Sequence, residues 1–120
     1  MMADEITLSV DLDLVNGNVE HDFRPNAILI DQANERYVDR IQDIGTSEET
    51  VSFGDLTAKG LVVLYNLDSS NYVNWGHTTG NLDCKILAGE YSVFRMDNSG
   101  ALIMQANTAT CKVRVILYDN

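Results

Sequence analysis

Apolar residues along this chain recur mostly at intervals of two, the period of a strand that buries one face. From residue 6 to 14 the alternation is unbroken: Ile6, Leu8, Val10, Leu12 and Leu14 are apolar, with Thr7, Ser9, Asp11 and Asp13 between them. That run predicts a single strand whose apolar side chains face the core. Asn16-Gly17 follows, a pair that readily supplies the positive-φ residues of a tight hairpin, and 19–23 is the expected return strand. Arg24-Pro25-Asn26, with the only proline, interrupts the pattern. Residues 27–32 then read as a buried strand.

Between Asp31 and Ile44 two periods compete. Ala33, Tyr37, Ile41 and Ile44 stand near helical spacing, but no capping glycine or long apolar stripe accompanies them. Residues 36–44 are therefore expected to form an edge strand. The stretch LVVLYNLDSSNYVNW at 61–75 reads as two apolar strands of one hairpin, joined by the polar turn Asp68-Ser69-Ser70, with Leu64 in the core. Further short strands are expected at 50–53, 82–87, 91–96, 101–106 and 110–118, with turns at Ala88-Gly89-Glu90 and Asn98-Ser99-Gly100. About eight to ten short strands at this spacing point to a sandwich or barrel rather than to alternating strands and helices. The expected architecture is all-β: an antiparallel, jelly-roll-like β-sandwich forming a single domain over 1–120.

Composition agrees with that expectation and adds a constraint. A 120-residue chain is long enough to hide roughly 65% of its unfolded surface without metal or disulfide support. Its 45% hydrophobic and 22% charged content is that of a globular protein rather than a disordered one. The constraint is charge: 18 Asp and Glu against 8 Lys and Arg leave a net charge of -10. Nucleic-acid binding needs cations to neutralise phosphate, and anionic lipids attract basic segments. The acidity argues against both a nucleic-acid and a membrane partner.

The start, MMADEITLSV, lacks the basic and apolar regions of a signal peptide, and no apolar run approaches the roughly 20 residues of a membrane span. Synthesis and use in the cytoplasm are expected. Cys84 and Cys111 have no CxxC spacing and sit among apolar neighbours, so both are expected to be buried free thiols.

No pattern makes a strong case for chemistry. Asp11 to Gly17 resembles a calcium loop, but valine stands fifth and the glycine comes one place late. His21 and His77 occur in unrelated contexts, where a metal needs converging ligands. There is no Gly-x-Ser-x-Gly elbow, and Glu48-Glu49 is a weak carboxylate pair in so acidic a chain. Catalytic, cofactor and metal residues are accordingly expected to be none. The remaining candidate is a binding surface. Tyr72 and Trp75, three apart in a strand, point to opposite faces, and beside Asn74 and His77 an exposed ring there would stack on a sugar. The plainer reading puts one ring in the core and the other at a subunit interface, where Trp and Tyr are enriched.

The order of segments carries a family likeness. Ile44-Gly45-Thr46-Ser47-Glu48-Glu49, then Phe53-Gly54-Asp55, Tyr65-Asn66-Leu67-Asp68 with Asn71-Tyr72-Val73, Leu87-Ala88-Gly89-Glu90 and Ala106-Asn107-Thr108-Ala109 resemble segments of small virion proteins of tailed bacteriophages. The likeness runs from residue 44 to the end. It implies a capsid decoration or cement protein, non-enzymatic and without cofactors, that binds the major capsid protein on the outer surface of the assembled head. It implies also a homotrimer at local threefold positions, made in the host cytoplasm. The alternative is a glycan- or receptor-binding sandwich of the virion, in a tail, neck or head-fibre component, using Tyr72, Asn74, Trp75 and His77.

Overall fold

The structure, a computed structural model, describes residues 4–56, 58–98 and 100–120. Ser99 of the expected Asn98-Ser99-Gly100 turn lies outside the described residues. The described residues form strands and no helix. The chain divides into two compact units, Met1–Ala33 and Asn34–Asn120.

The second unit is an antiparallel β-sandwich made of β5 (Tyr37–Ile44), β6 (Glu49–Thr50), β7 (Lys59–Asn66), β8 (Val73–Gly76), β9 (Cys84–Ile86), β10 (Tyr91–Arg95), β11 (Ile103–Ala106) and β12 (Cys111–Asp119). One sheet runs β10-β7-β12-β5 and the other β6-β11-β8-β9. The pairing is nested. β8 pairs with β9, β7 with β10, β6 with β11 and β5 with β12. A chain doubled back on itself and then rolled so that successive pairs fall in alternate sheets is a jelly roll, and the fold expectation holds for this unit. The contested segment is the edge strand β5, not a helix: beside it, β12 offers a continuous ladder from Cys111 opposite Ile44 to Tyr118 opposite Tyr37.

β12 shows why these residues make this fold. Cys111, Val113, Val115 and Leu117 are fully buried, while Lys112 and Arg114 between them are exposed. Facing them across the sandwich are Val73, Ile86, Met104 and Ala106 of the second sheet, in one continuous core with Ile44, Val62 and Leu64. Trp75 of β8 lies flat on Phe94 of β10, ring centroids 4.7 Å apart and 15° from parallel, and so joins the two sheets.

The expected 61–75 hairpin does not form. β7 and β8 lie in different sheets, and the polar segment between them is an arch over the end of the sandwich. Asn66, fully buried, holds it. Its side-chain amide donates to the carbonyls of Asn71 (2.9 Å) and Ile86 (3.2 Å), and its side-chain oxygen accepts from the Asp68 N–H. Asp68 then accepts from the N–H groups of Ser70 (3.0 Å) and Asn71 (2.6 Å). Two apolar strands could have paired across the turn; burying both in facing sheets instead covers each with the other. Past β8, Gly76 is required by space. A Cβ there would lie 2.6 Å from the Asn81 carbonyl oxygen and 3.0 Å from the Leu82 Cα, both backbone.

The first unit contains β1 (Ile6–Leu8), β2 (Leu12–Asn16), β3 (Val19–Phe23) and β4 (Ile28–Ile30), in two two-stranded sheets, β1-β4 and β2-β3. The NG hairpin forms as expected, with Gly17 at φ 58°. The single core-facing strand over 6–14 does not: it breaks into β1 and β2, and Val10, Leu12 and Leu14 are exposed. Ile28 and Leu29 are exposed as well, so 27–32 is not the buried strand expected. The period correctly identified an apolar face, but a two-stranded sheet has no second layer to cover it.

Two outcomes follow from the sandwich. Leu64 is fully buried in β7, so Leu64→Ala is expected to cost about 2–5 kcal/mol, and Leu64→Asp more, since a carboxylate there is desolvated without a partner; chemical denaturation measures both. The Asp68 carboxyl is held below its ordinary value of 3.8, first by the Asn71 N–H and then by that of Ser70, against a smaller upward push from burial. A depressed carboxyl binds fewer protons folded than unfolded, so its contribution is complete above the unfolded value and is lost as pH falls through the folded one. Wild-type stability should therefore fall below pH 3.8 more steeply than that of Asp68→Ala, as read from denaturant midpoints across an acid pH series.

Candidate functional site

Alternation fixes what the outer face of the β10-β7-β12-β5 sheet presents. Cross-strand partners in an antiparallel ladder share a face, so the register sets Tyr91, Tyr65, Arg114 and Ile41 in one row and Val93, Val63, Ile116 and Asp39 in the next. Tyr118 stands opposite Tyr37 beyond them. Tyr91 is 69% exposed, Tyr37 67% and Ile41 56%. The Tyr65 and Tyr91 rings meet edge to face at 5.9 Å, and those of Tyr37 and Tyr118 lie tilted at 6.4 Å. Such ring pairs keep the tyrosines ordered without covering them.

Two charged pairs stand on this face. Arg114 forks onto Asp39, Nε to Oδ1 at 2.8 Å and the outer nitrogen to Oδ2 at 2.5 Å, and Lys112 meets Asp43 at 2.9 Å. The hydrogen bond from Arg114 holds the Asp39 carboxyl below its ordinary value against a smaller effect of burial, and the same bond raises the Arg114 guanidinium. Exposed as it is, the pair adds little to stability. Its main effect is to fix a cation among the aromatic rings. Tyrosine and arginine set in aliphatic surface is the composition of a protein-binding face, and β5, which carries Tyr37 and Ile41, is the edge strand of the sheet. Sequence reading did not find this face, although the tyrosines at 37, 65, 91 and 118 and the alternation in 110–118 carried the signal.

The tentative binding residues do not gather on one surface. Trp75 is 8% exposed and stacked beneath Phe94, so it offers no platform to a ligand. Of the two rings, Trp75 is the one in the core, as the plainer reading has it for one of them. Its indole N–H has no hydrogen-bond partner. Tyr72 and Asn74 point the other way, as their parity requires. Tyr72 is half-buried, with the Lys85 ammonium 4.3 Å above its ring, and the Asn74 amide reaches the Cys84 carbonyl at 3.4 Å. His77 is exposed, edge-on to Trp75 at 5.8 Å, its Nδ1 3.0 Å from the Ala101 carbonyl oxygen. Of the four, then, Tyr72 and Asn74 share one face and His77 lies on the other side with the buried indole.

The remaining candidates have structural roles. Glu48 accepts the Gly80 N–H with both carboxylate oxygens, and Glu49 accepts from the Gly45 N–H and the Gln42 side chain. Each ties a loop. Both cysteines are free; Cys111 is buried as expected, its thiol pushed up by burial and then by the nearby Asp68 charge, but Cys84 is exposed. Cys84 falls at the start of the short strand β9, where the second sheet ends and nothing covers it.

No family model matches the chain, and no curated protein matches it. A solved structure described as "Bacillus endospore appendages form a novel family of disulfide-linked pili" is similar over 99% of this chain and 95% of that one, at 8% identity and a TM-score of 0.46.

Proposed function

We propose that this chain is a structural virion protein of a tailed phage, which decorates the outer surface of the assembled head and cements neighbouring copies of the major capsid protein as a homotrimer. The observation that carries this reading is the tyrosine-bearing sheet face. A sandwich with a continuous core leaves Tyr37 and Ile41 exposed on the edge strand β5 and Tyr91 exposed on the same face at β10, which is surface suited to a protein partner. The likeness of 44–120 to phage decoration proteins supplies the identity of that partner. The net charge of -10 supports an outer position, because packaged DNA repels a protein this acidic. On this reading the protein works by contact, not catalysis. Three modest contacts per trimer add through effective concentration, so no deep pocket is needed. Sugar binding has less support, since the ring best suited to stacking is inside the core.

Purified protein mixed with mature empty heads of the encoding phage, stripped of decoration, is expected to co-sediment with them. Tyr37→Ala/Tyr91→Ala should weaken that binding about tenfold or more, the effect of losing anchor aromatics from an interface, with little change in thermal stability because both rings are exposed. Failure of the wild-type protein to pellet with heads would overturn the decoration reading. Millimolar or better binding to a sugar in that case would favour the receptor-binding alternative.

A further inference from the structure

Asn16-Gly17 is the one place in the chain where an asparagine precedes a glycine. Asn16 is exposed at the end of β2, opposite Val19 in the last pair of the ladder. Gly17 opens the turn at φ 58°, and a Cβ placed on it would meet nothing within 4 Å. Its N–H has no hydrogen-bond partner among the described residues. A side-chain amide and an unencumbered main-chain nitrogen therefore stand side by side in open solvent. The ladder keeps them apart, because a strand holds ψ near about +135° and closing a five-membered ring between the Gly17 nitrogen and Asn16 Cγ needs ψ turned out of that range. A lone two-stranded ribbon is marginal in water, so this restraint is weak. On the face of the hairpin away from Asn16, Asp13 lies directly across from Asp22, with Arg24 paired to Asp13 and 4.0 Å from Asp22. Like charges set opposite each other open a ladder, and Arg24 is the clip that offsets them.

We propose that Asn16 is a site of spontaneous deamidation, gated by opening of the β2-β3 hairpin. The inference does not rest on the capsid partner proposed above. When the hairpin opens, the Gly17 nitrogen gives its proton to solvent base and attacks Asn16 Cγ. The new C–N bond closes a succinimide as the Cγ–Nδ2 bond breaks, and Nδ2 leaves as ammonia. Water then adds at one of the two ring carbonyls. Opening at Cγ gives aspartate; opening at the main-chain carbonyl gives isoaspartate, in which the chain runs on through Cγ. Either product carries a carboxylate that Asn16 lacks. At every other asparagine from Asn18 to Asn107 the next residue has a side chain that crowds the attacking nitrogen, and Asn66 is buried as well. The products also act on this hairpin in particular. Asn16 and Val19 close a two-residue turn, and an extra main-chain carbon takes that pair out of register. Aspartate instead sets a charge in the row of Leu12 and Leu14, a face of the hairpin on which neither strand places a carboxylate.

Peptide mapping by mass spectrometry, on the full chain incubated in mildly alkaline buffer with and without guanidinium, tests both parts. In the native protein Asn16 is expected to be the first asparagine converted to acid, at a rate about fivefold or more below that in guanidinium, where no ladder holds it. Arg24→Ala removes the clip between Asp13 and Asp22. It should speed the native reaction about twofold or more and leave the rate in guanidinium unchanged, so that the effect is traced to the folded hairpin and not to the local sequence. Conversion of another asparagine ahead of Asn16 would overturn the site. Equal rates with and without guanidinium, or a native Arg24→Ala rate equal to that of the wild type, would overturn the gating by the hairpin.

Discussion

Everything in the sandwich has to cover one row of side chains. Cys111, Val113, Val115 and Leu117 are each completely buried, and taking a side chain such as Val or Leu out of water contributes about 1.5–3 kcal/mol. β12 can bury that row only if it lies inside a sheet, with β5 and β7 on either side, and only if a second sheet closes over it. The second sheet is in turn too small to shield itself. Met104, Val73 and Ile86 are buried because they rest on the first sheet, and Trp75 against Phe94 seals the join. The polar devices act at the rim of this core. Asn66 and Asp68 satisfy the backbone of the arch where the chain changes sheets, so that turning over the core leaves those groups paired.

The sequence was most legible where a local rule and the tertiary packing agree. The alternation in 110–118 reads directly as β12, and Asn16-Gly17 as a hairpin. The near-helical spacing of Ala33, Tyr37, Ile41 and Ile44 makes no helix, because a neighbouring ladder decides such a segment. The arch at 61–75 reads in sequence as a hairpin, because the two have the same linear signature of apolar run, polar turn and apolar run. A clue was present: an asparagine at the end of an apolar strand, followed two residues later by an aspartate, suits a backbone that must be capped rather than paired. Among the candidate binding residues, parity gave the relation between Tyr72 and Trp75, but only packing could say which of them is inside. Alternation in 6–14 likewise identified an apolar face without saying what covers it.

Two surfaces divide the protein's outward behaviour. The tyrosine-bearing face of the sandwich holds two ion pairs, Arg114 with Asp39 and Lys112 with Asp43. The N-terminal unit is the reverse case, with an excess of carboxylates concentrated on one side of a hairpin.

Nested pairing also sets a timetable. The innermost pair, β8 with β9, joins residues close in sequence, whereas the outermost brings Cys111 back to Ile44 and Tyr118 back to Tyr37. Contacts so distant along the chain are slow to form, because the entropy of closing the loop is spent before the ladder returns anything. The strand on which the core depends is also the last to be made. A growing chain on the ribosome can form the inner pair early, but until β12 emerges, β5 and β7 have no strand between them and the facing sheet has nothing to rest on. The sandwich is therefore completed only once β12 has emerged, and until then the exposed edges of β5 and β7 are most open to pairing with the wrong chain.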